Sequence, residues 1–105
     1  MKIFQKLFGS GRTTDLKNAI KQGAFLVDVR TPAEFAQDQV KGSVNIPLDK
    51  IPIQLSQFKG RKNIIVFCLS GGRSSRAKSI LENNGFTQVI NGGTWKHVNQ
   101  LVNNT

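Results

Sequence analysis

Cys68, the only cysteine among 105 residues, stands where an apolar run meets a glycine-rich turn: Asn63-Ile64-Ile65-Val66-Phe67-Cys68-Leu69-Ser70-Gly71-Gly72-Arg73-Ser74. The β-branched run ahead of it predicts a strand buried on both faces. Gly71 and Gly72 permit a tight loop whose backbone N–H groups converge. Ser74 is expected to cap a helix that carries Ala77, Ile80 and Leu81 on one face and closes at Gly85. A thiol at such a junction faces amide donors and the positive end of a helix dipole, and both favour the thiolate. The competing account of Cys68 is a small buried hydrophobe, the ordinary fate of a free cysteine. The glycines and Arg73 argue against it.

Arg73 is a cation at a helix N-terminus, the wrong end of the dipole. An anion between its guanidinium and the loop amides would resolve that conflict, whether the Cys68 thiolate or a bound substrate. The alternative is a structural ion pair with Glu34 or Asp28.

Positioning these groups requires strands that alternate with helices. Ala24 to Val29 predicts a second buried strand, which brings Asp28 and Arg30 to the same rim as Cys68. Thr31-Pro32-Ala33-Glu34 is a capping box with proline at the first helical position, and the segment it opens ends at Gly42. Thr13 or Thr14 caps a helix with Leu16, Ala19 and Ile20 that closes at Gly23. Ile51, Leu55 and Phe58 line up as the face of a helix in the later part of Leu48 to Phe58. Thr87 to Ile90 reads as a strand; Asn91-Gly92-Gly93 follows it, and then a last helix with Trp95, Val98, Leu101 and Val102. The pattern is α/β, with a parallel sheet covered by helices on both faces and ligands bound beyond the strands' carboxyl ends.

The length fits one domain over residues 1–105, with 1–12 as an N-terminal extension in which residues 2–8 form a short amphipathic helix. Hydrophobic residues at 38% and charged residues at 20% exclude a disordered chain. No apolar run approaches a membrane span, and the first residues lack a signal-peptide pattern. A lone free thiol fits a reducing compartment, so the expected location is cytoplasmic. Neither cysteine clusters nor paired histidines point to a metal, and no external cofactor is implied. His97 reads as a surface helix residue and Trp95 as core or rim packing. The net charge is +9, and seven basic residues fall between Lys50 and Leu81 without one acid. Such a field would concentrate anions near the loop, although a solvated basic face accounts for the outlying lysines equally well. Nucleic acid is not indicated, because aromatics do not alternate with the basic residues.

The chain resembles the rhodanese-like domains from about Thr14 to the C-terminal helix. The resemblance rests on Asp28-Val29-Arg30-Thr31-Pro32-Ala33-Glu34-Phe35 with Gly42-Ser43-Val44-Asn45-Ile46-Pro47, on Cys68 to Ser74, and on Gly92-Gly93 before an aromatic helix. It implies a three-layer α/β sandwich whose central parallel sheet has four to five strands. It also implies a thiosulfate sulfurtransferase in which Cys68 carries sulfane sulfur as a persulfide. The donor is then a small anion such as thiosulfate, or a persulfide, and the acceptor is cyanide, a thiol or a protein sulfur acceptor. Leu69, Ser70, Gly71, Gly72 and Arg73 are implied to bind the substrate, while Asp28, Arg30 and Ser74 support the loop; a monomer is expected. Asp38-Gln39 replaces the Gly-His of many members, and the family's short first strand is not evident in Gly9 to Arg12, so Ile3 and Phe4 are candidates for that edge.

Two other classes remain. One is a non-enzymatic sulfur carrier or regulatory binding module using the same loop. The other is a phosphatase or arsenate reductase. Those related enzymes use Cys-x5-Arg, whereas Cys68 to Arg73 is Cys-x4-Arg, a narrower ring of amides suited to one sulfur atom. Phe67 also occupies the place of the histidine that typically precedes the phosphatase cysteine.

Overall fold

The structure, a computed structural model, describes residues 13–105. The helix expected over 2–8 and any strand contributed by Ile3 and Phe4 lie outside those residues. Four parallel strands form one sheet in the order β2-β1-β3-β4: β1 Phe25–Asp28, β2 Val44–Asn45, β3 Ile64–Cys68 and β4 Val89–Thr94. Helices α1 (Thr13–Lys21), α2 (Pro32–Gln37), α3 (Gly72–Asn83) and α4 (Trp95–Asn103) alternate with them.

β3 is central and buried along its whole length, as its β-branched run requires. Its side chains alternate between two cores. Ile64, Val66 and Cys68 join Ala77 and Leu81 of α3 on one face, and Ile65 and Phe67 join Leu16 of α1 and Val98 of α4 on the other. Burial of each large aliphatic or aromatic side chain contributes about 2 kcal/mol relative to exposure. The two helical layers therefore clamp the strand that ends at Cys68.

Three local expectations change. Leu48 to Phe58 is not an α-helix but two 3-10 segments, Leu48–Ile53 and Leu55–Phe58. Pro52 lies inside the first and lacks the N–H that a continuing helix needs. Ile51 and Phe58 are nevertheless fully buried, as their alignment predicted. α2 stops at Gln37 with Asp38 as its C-cap, well before Gly42. Third, the strand expected over Thr87 to Ile90 is shifted along the chain: β4 starts at Val89 and continues through Asn91-Gly92-Gly93 to Thr94.

That strand carries a bulge. Val66 pairs with Asn91 but Phe67 pairs with Gly93, so Gly92 is the extra residue. A Cβ on Gly92 would lie 2.8 Å from Val98 Cγ2 and 3.0 Å from Ile65 Cγ2, so α4 can sit this close to the sheet only over a glycine. α4 then starts at once, with Thr94 as N-cap accepting from the His97 N–H at 3.1 Å.

Candidate active site

Cys68 is the last residue of β3, at the carboxyl edge of the sheet, and its side chain is fully buried. The chain reverses through Leu69, Ser70 and Gly71 into α3. Gly71, at φ +97°, is the N-cap in the left-handed region that only glycine adopts without strain. This turn aims two amides at the sulfur: Gly71 N–H donates to Sγ at 3.0 Å and Ser74 N–H at 3.3 Å. Leu69 projects outward, 54% exposed.

Ser74 is not the helix cap that the sequence suggested. α3 already begins at Gly72, because the left-handed Gly71 completes the turn three residues earlier than a serine cap would. Ser74 is buried in the first turn, where its Oγ lies 3.4 Å from Sγ, 3.0 Å from the Gly71 carbonyl and 2.7 Å from Asn91 Oδ1. Burial pushes the Cys68 thiol's pKa up. The Ser74 hydroxyl and the amides of Ser74, Ser70 and Gly71 pull it down further, leaving it below the ordinary thiol value.

The anion beside Arg73 is Glu34. The guanidinium donates from both terminal nitrogens to the two carboxylate oxygens, at 2.8 and 3.1 Å. Arg73 thus forms the structural ion pair with Glu34, joining the first turns of α2 and α3. Glu34 also closes the capping box, accepting from the Thr31 N–H at 2.9 Å while Thr31 Oγ1 accepts from the Glu34 N–H at 3.2 Å. The Arg73 fork and the Thr31 amide together hold the Glu34 carboxyl down at about 2. Glu34 in turn raises the pKa of Arg73.

Asp28 and Arg30 form a second, buried pair at the end of β1. Arg30 Nε donates to both Asp28 oxygens at 3.0 and 2.9 Å and its Nη2 to Oδ2 at 2.7 Å. The guanidinium also donates to the Asp38 carbonyl at 2.7 Å and lies 4.8 Å from the centre of the Trp95 ring. Trp95 is buried, and half-buried His97 meets Thr13 of α1 at 3.5 Å. A cavity of about 420 Å³ opens here, lined by Arg30, Glu34, Leu69, Trp95 and Lys96 among others.

The basic run does not surround Cys68. Arg61 lies over the Phe25 ring, 3.8 Å from its centre, at the start of β1, and Lys62 stands two residues before β3. Those charges belong to the opposite end of the sheet, about 13 Å away along five residues of strand. Lys78 is paired with Glu82 at 2.6 Å. Asn91, which the sequence does not single out, is the site's unforeseen member. A polar residue just before a glycine pair was its only signal.

The family model of the rhodanese-like domain matches residues 12–96. The chain belongs to this family. A sulfurtransferase of Allochromatium vinosum is 36% identical over 70 residues, covering 67% of this chain and 65% of the relative. Thiosulfate sulfurtransferase PspE of Escherichia coli is 36% identical over 74 residues, covering 69% and 71%. A solved structure described as a rhodanese with anions from E. coli superposes with a TM-score of 0.65 at 35% identity, over 71% of this chain and 91% of that one. Rhodanese-like membership and these relatives support sulfur transfer as the chemistry of the domain. Among the described residues no helix is long and apolar enough to cross a membrane.

Proposed function

We propose that this rhodanese-like protein moves sulfane sulfur from thiosulfate or a persulfide donor to a thiol or cyanide acceptor through a persulfide on Cys68. The observation that carries this reading is the pair of amides, Gly71 N–H and Ser74 N–H, aimed at Sγ from 3.0 and 3.3 Å. Donors fixed in this way stabilise negative charge on sulfur without reorganising during the reaction.

In the first half-reaction the Cys68 thiol loses its proton to solvent. The thiolate attacks the outer sulfur of thiosulfate, a Cys68–sulfur bond forms, and sulfite leaves with the electron pair of the broken sulfur–sulfur bond. The new terminal sulfur carries the negative charge into the ring of amides from Leu69 to Arg73. In the second half-reaction cyanide attacks that terminal sulfur, thiocyanate departs, and the thiolate is restored; a cellular thiol acceptor would become a persulfide instead. Arg73, committed to Glu34, contributes to the loop's position and field rather than acting as an unpaired anion receptor. The Asp28–Arg30 pair braces the rim.

Thiocyanate formation with thiosulfate and cyanide varied independently should give the parallel reciprocal plots of a two-step exchange. Cys68→Ser should abolish turnover with the fold intact. Intersecting plots, or turnover surviving in Cys68→Ser, would remove Cys68 from the reaction.

A further inference from the structure

The polar contacts of Cys68 continue beyond the loop. Ser74 Oγ lies 3.4 Å from Sγ and 2.7 Å from Asn91 Oδ1. A serine hydroxyl has one proton, so it can donate to only one of these acceptors at a time. The shorter contact is with Asn91. Its orientation is determined: the Gly93 N–H donates to the same Oδ1 at 2.9 Å, which fixes the oxygen, not the amide nitrogen, toward Ser74. The bulge at Gly92 makes this possible by bringing the Gly93 amide back toward the Asn91 side chain. Asn91 is itself buried, at 6% exposure.

With its proton on Asn91, Ser74 presents a lone pair to the sulfur and accepts from the thiol. When Cys68 ionises, that acceptor faces a negative charge until the hydroxyl turns. The turn delivers a third donor to the sulfur but breaks the bond to Asn91. Asn91 and the thiolate therefore compete for one proton. The other acceptor within reach, the Gly71 carbonyl at 3.0 Å, is neutral and already receives the Ser75 N–H. A charged acceptor outbids it.

We infer that Asn91 is a positioning residue that sets the ionisation of Cys68 through Ser74, holding the hydroxyl away from the sulfur in the resting thiol and releasing it as charge develops there. It touches neither the sulfur nor a substrate, and its effect does not depend on which donor the proposed transfer uses. The charged groups facing this edge are Arg73 of α3 with Glu34 of α2 and Asp28 with Arg30 at the end of β1, each paired within the site, together with Lys96 of α4, which lines the cavity beside Leu69. β4 presents only uncharged Asn91 and Thr94 to this edge.

The test is the pH profile of Cys68 alkylation by iodoacetamide, which reads the single thiol directly. Asn91→Ala should lower the midpoint by about half a unit to one unit, the size of one hydrogen bond shifted between protonation states. Asn91→Asp keeps an oxygen for Gly93 and Ser74 but makes it a charged acceptor, so its midpoint should rise. In a Ser74→Ala background Asn91→Ala should shift nothing, since the intermediary is gone. An unchanged midpoint in Asn91→Asp, or an Asn91→Ala shift of equal size with and without Ser74, would overturn the inference. If these shifts occur while thiosulfate adds no sulfur to Cys68, the control of ionisation stands and the proposed transfer falls.

Discussion

Asp28→Ala removes the carboxylate that neutralises Arg30 beneath the rim of the site. Asp28 is fully buried and Arg30 is 3% exposed, with three side-chain contacts of 2.7 to 3.0 Å joining them. After the substitution the guanidinium keeps the Asp38 carbonyl and the Trp95 face, but both contacts exist already and neither cancels its charge. An uncompensated buried charge costs about 3–5 kcal/mol. Because the Arg30 side chain borders an open cavity that can admit water, the lower end applies, about 3 kcal/mol. For a domain of this size that corresponds to a melting temperature lower by about 12 °C or more. Urea denaturation monitored by circular dichroism measures it. The double variant Asp28→Leu with Arg30→Met, which removes both charges, should lose less than Asp28→Ala alone. A loss below about 1 kcal/mol in Asp28→Ala, or a double variant weaker than the single, would refute the idea that this pair is a mutually dependent buried unit.

Two further outcomes follow from the site's geometry. Glu34 has a folded-state value of about 2 against an ordinary 4.5, so its pairing with Arg73 stabilises the fold fully above pH 4.5 and that contribution is lost as pH falls from 4.5 toward 2. With both side chains about one-third exposed, solvent screening reduces the contribution to about 1 kcal/mol; Glu34→Gln should flatten the acid limb of stability against pH, and an unchanged limb would contradict the assignment. Gly92→Ala should cost about 1–3 kcal/mol by pressing a methyl group into Val98 and Ile65, whereas Gly72→Ala, which meets nothing within 4 Å, should be neutral or slightly stabilising in the same denaturation experiment.

Much of this arrangement is legible where one segment carries the whole signal. Thr31 and Glu34 are three residues apart, so the capping box can be read directly, and the burial of Ile64 to Cys68 follows from its uninterrupted apolar run. Features that depend on two distant segments are hidden. The choice of Glu34 over Asp28 as the partner of Arg73 follows from where α2 and α3 start relative to the sheet. Asn91 reaches Ser74 across 17 residues because β4 lies beside β3 and bulges at Gly92. The basic run between Lys50 and Leu81 misleads for the same reason: a strand through its middle sends Arg61 and Arg73 to opposite ends of the sheet.

Intact-mass measurement after incubation with thiosulfate tests sulfur transfer through Cys68 most directly, because one cysteine leaves no ambiguity about where sulfur binds. The protein should gain about 32 Da, lose it on treatment with a reducing thiol or cyanide, and gain nothing as Cys68→Ser. No gain from thiosulfate or from a small-molecule persulfide, together with efficient hydrolysis of an aryl phosphate, would contradict the account and place the loop among phosphate-transferring sites.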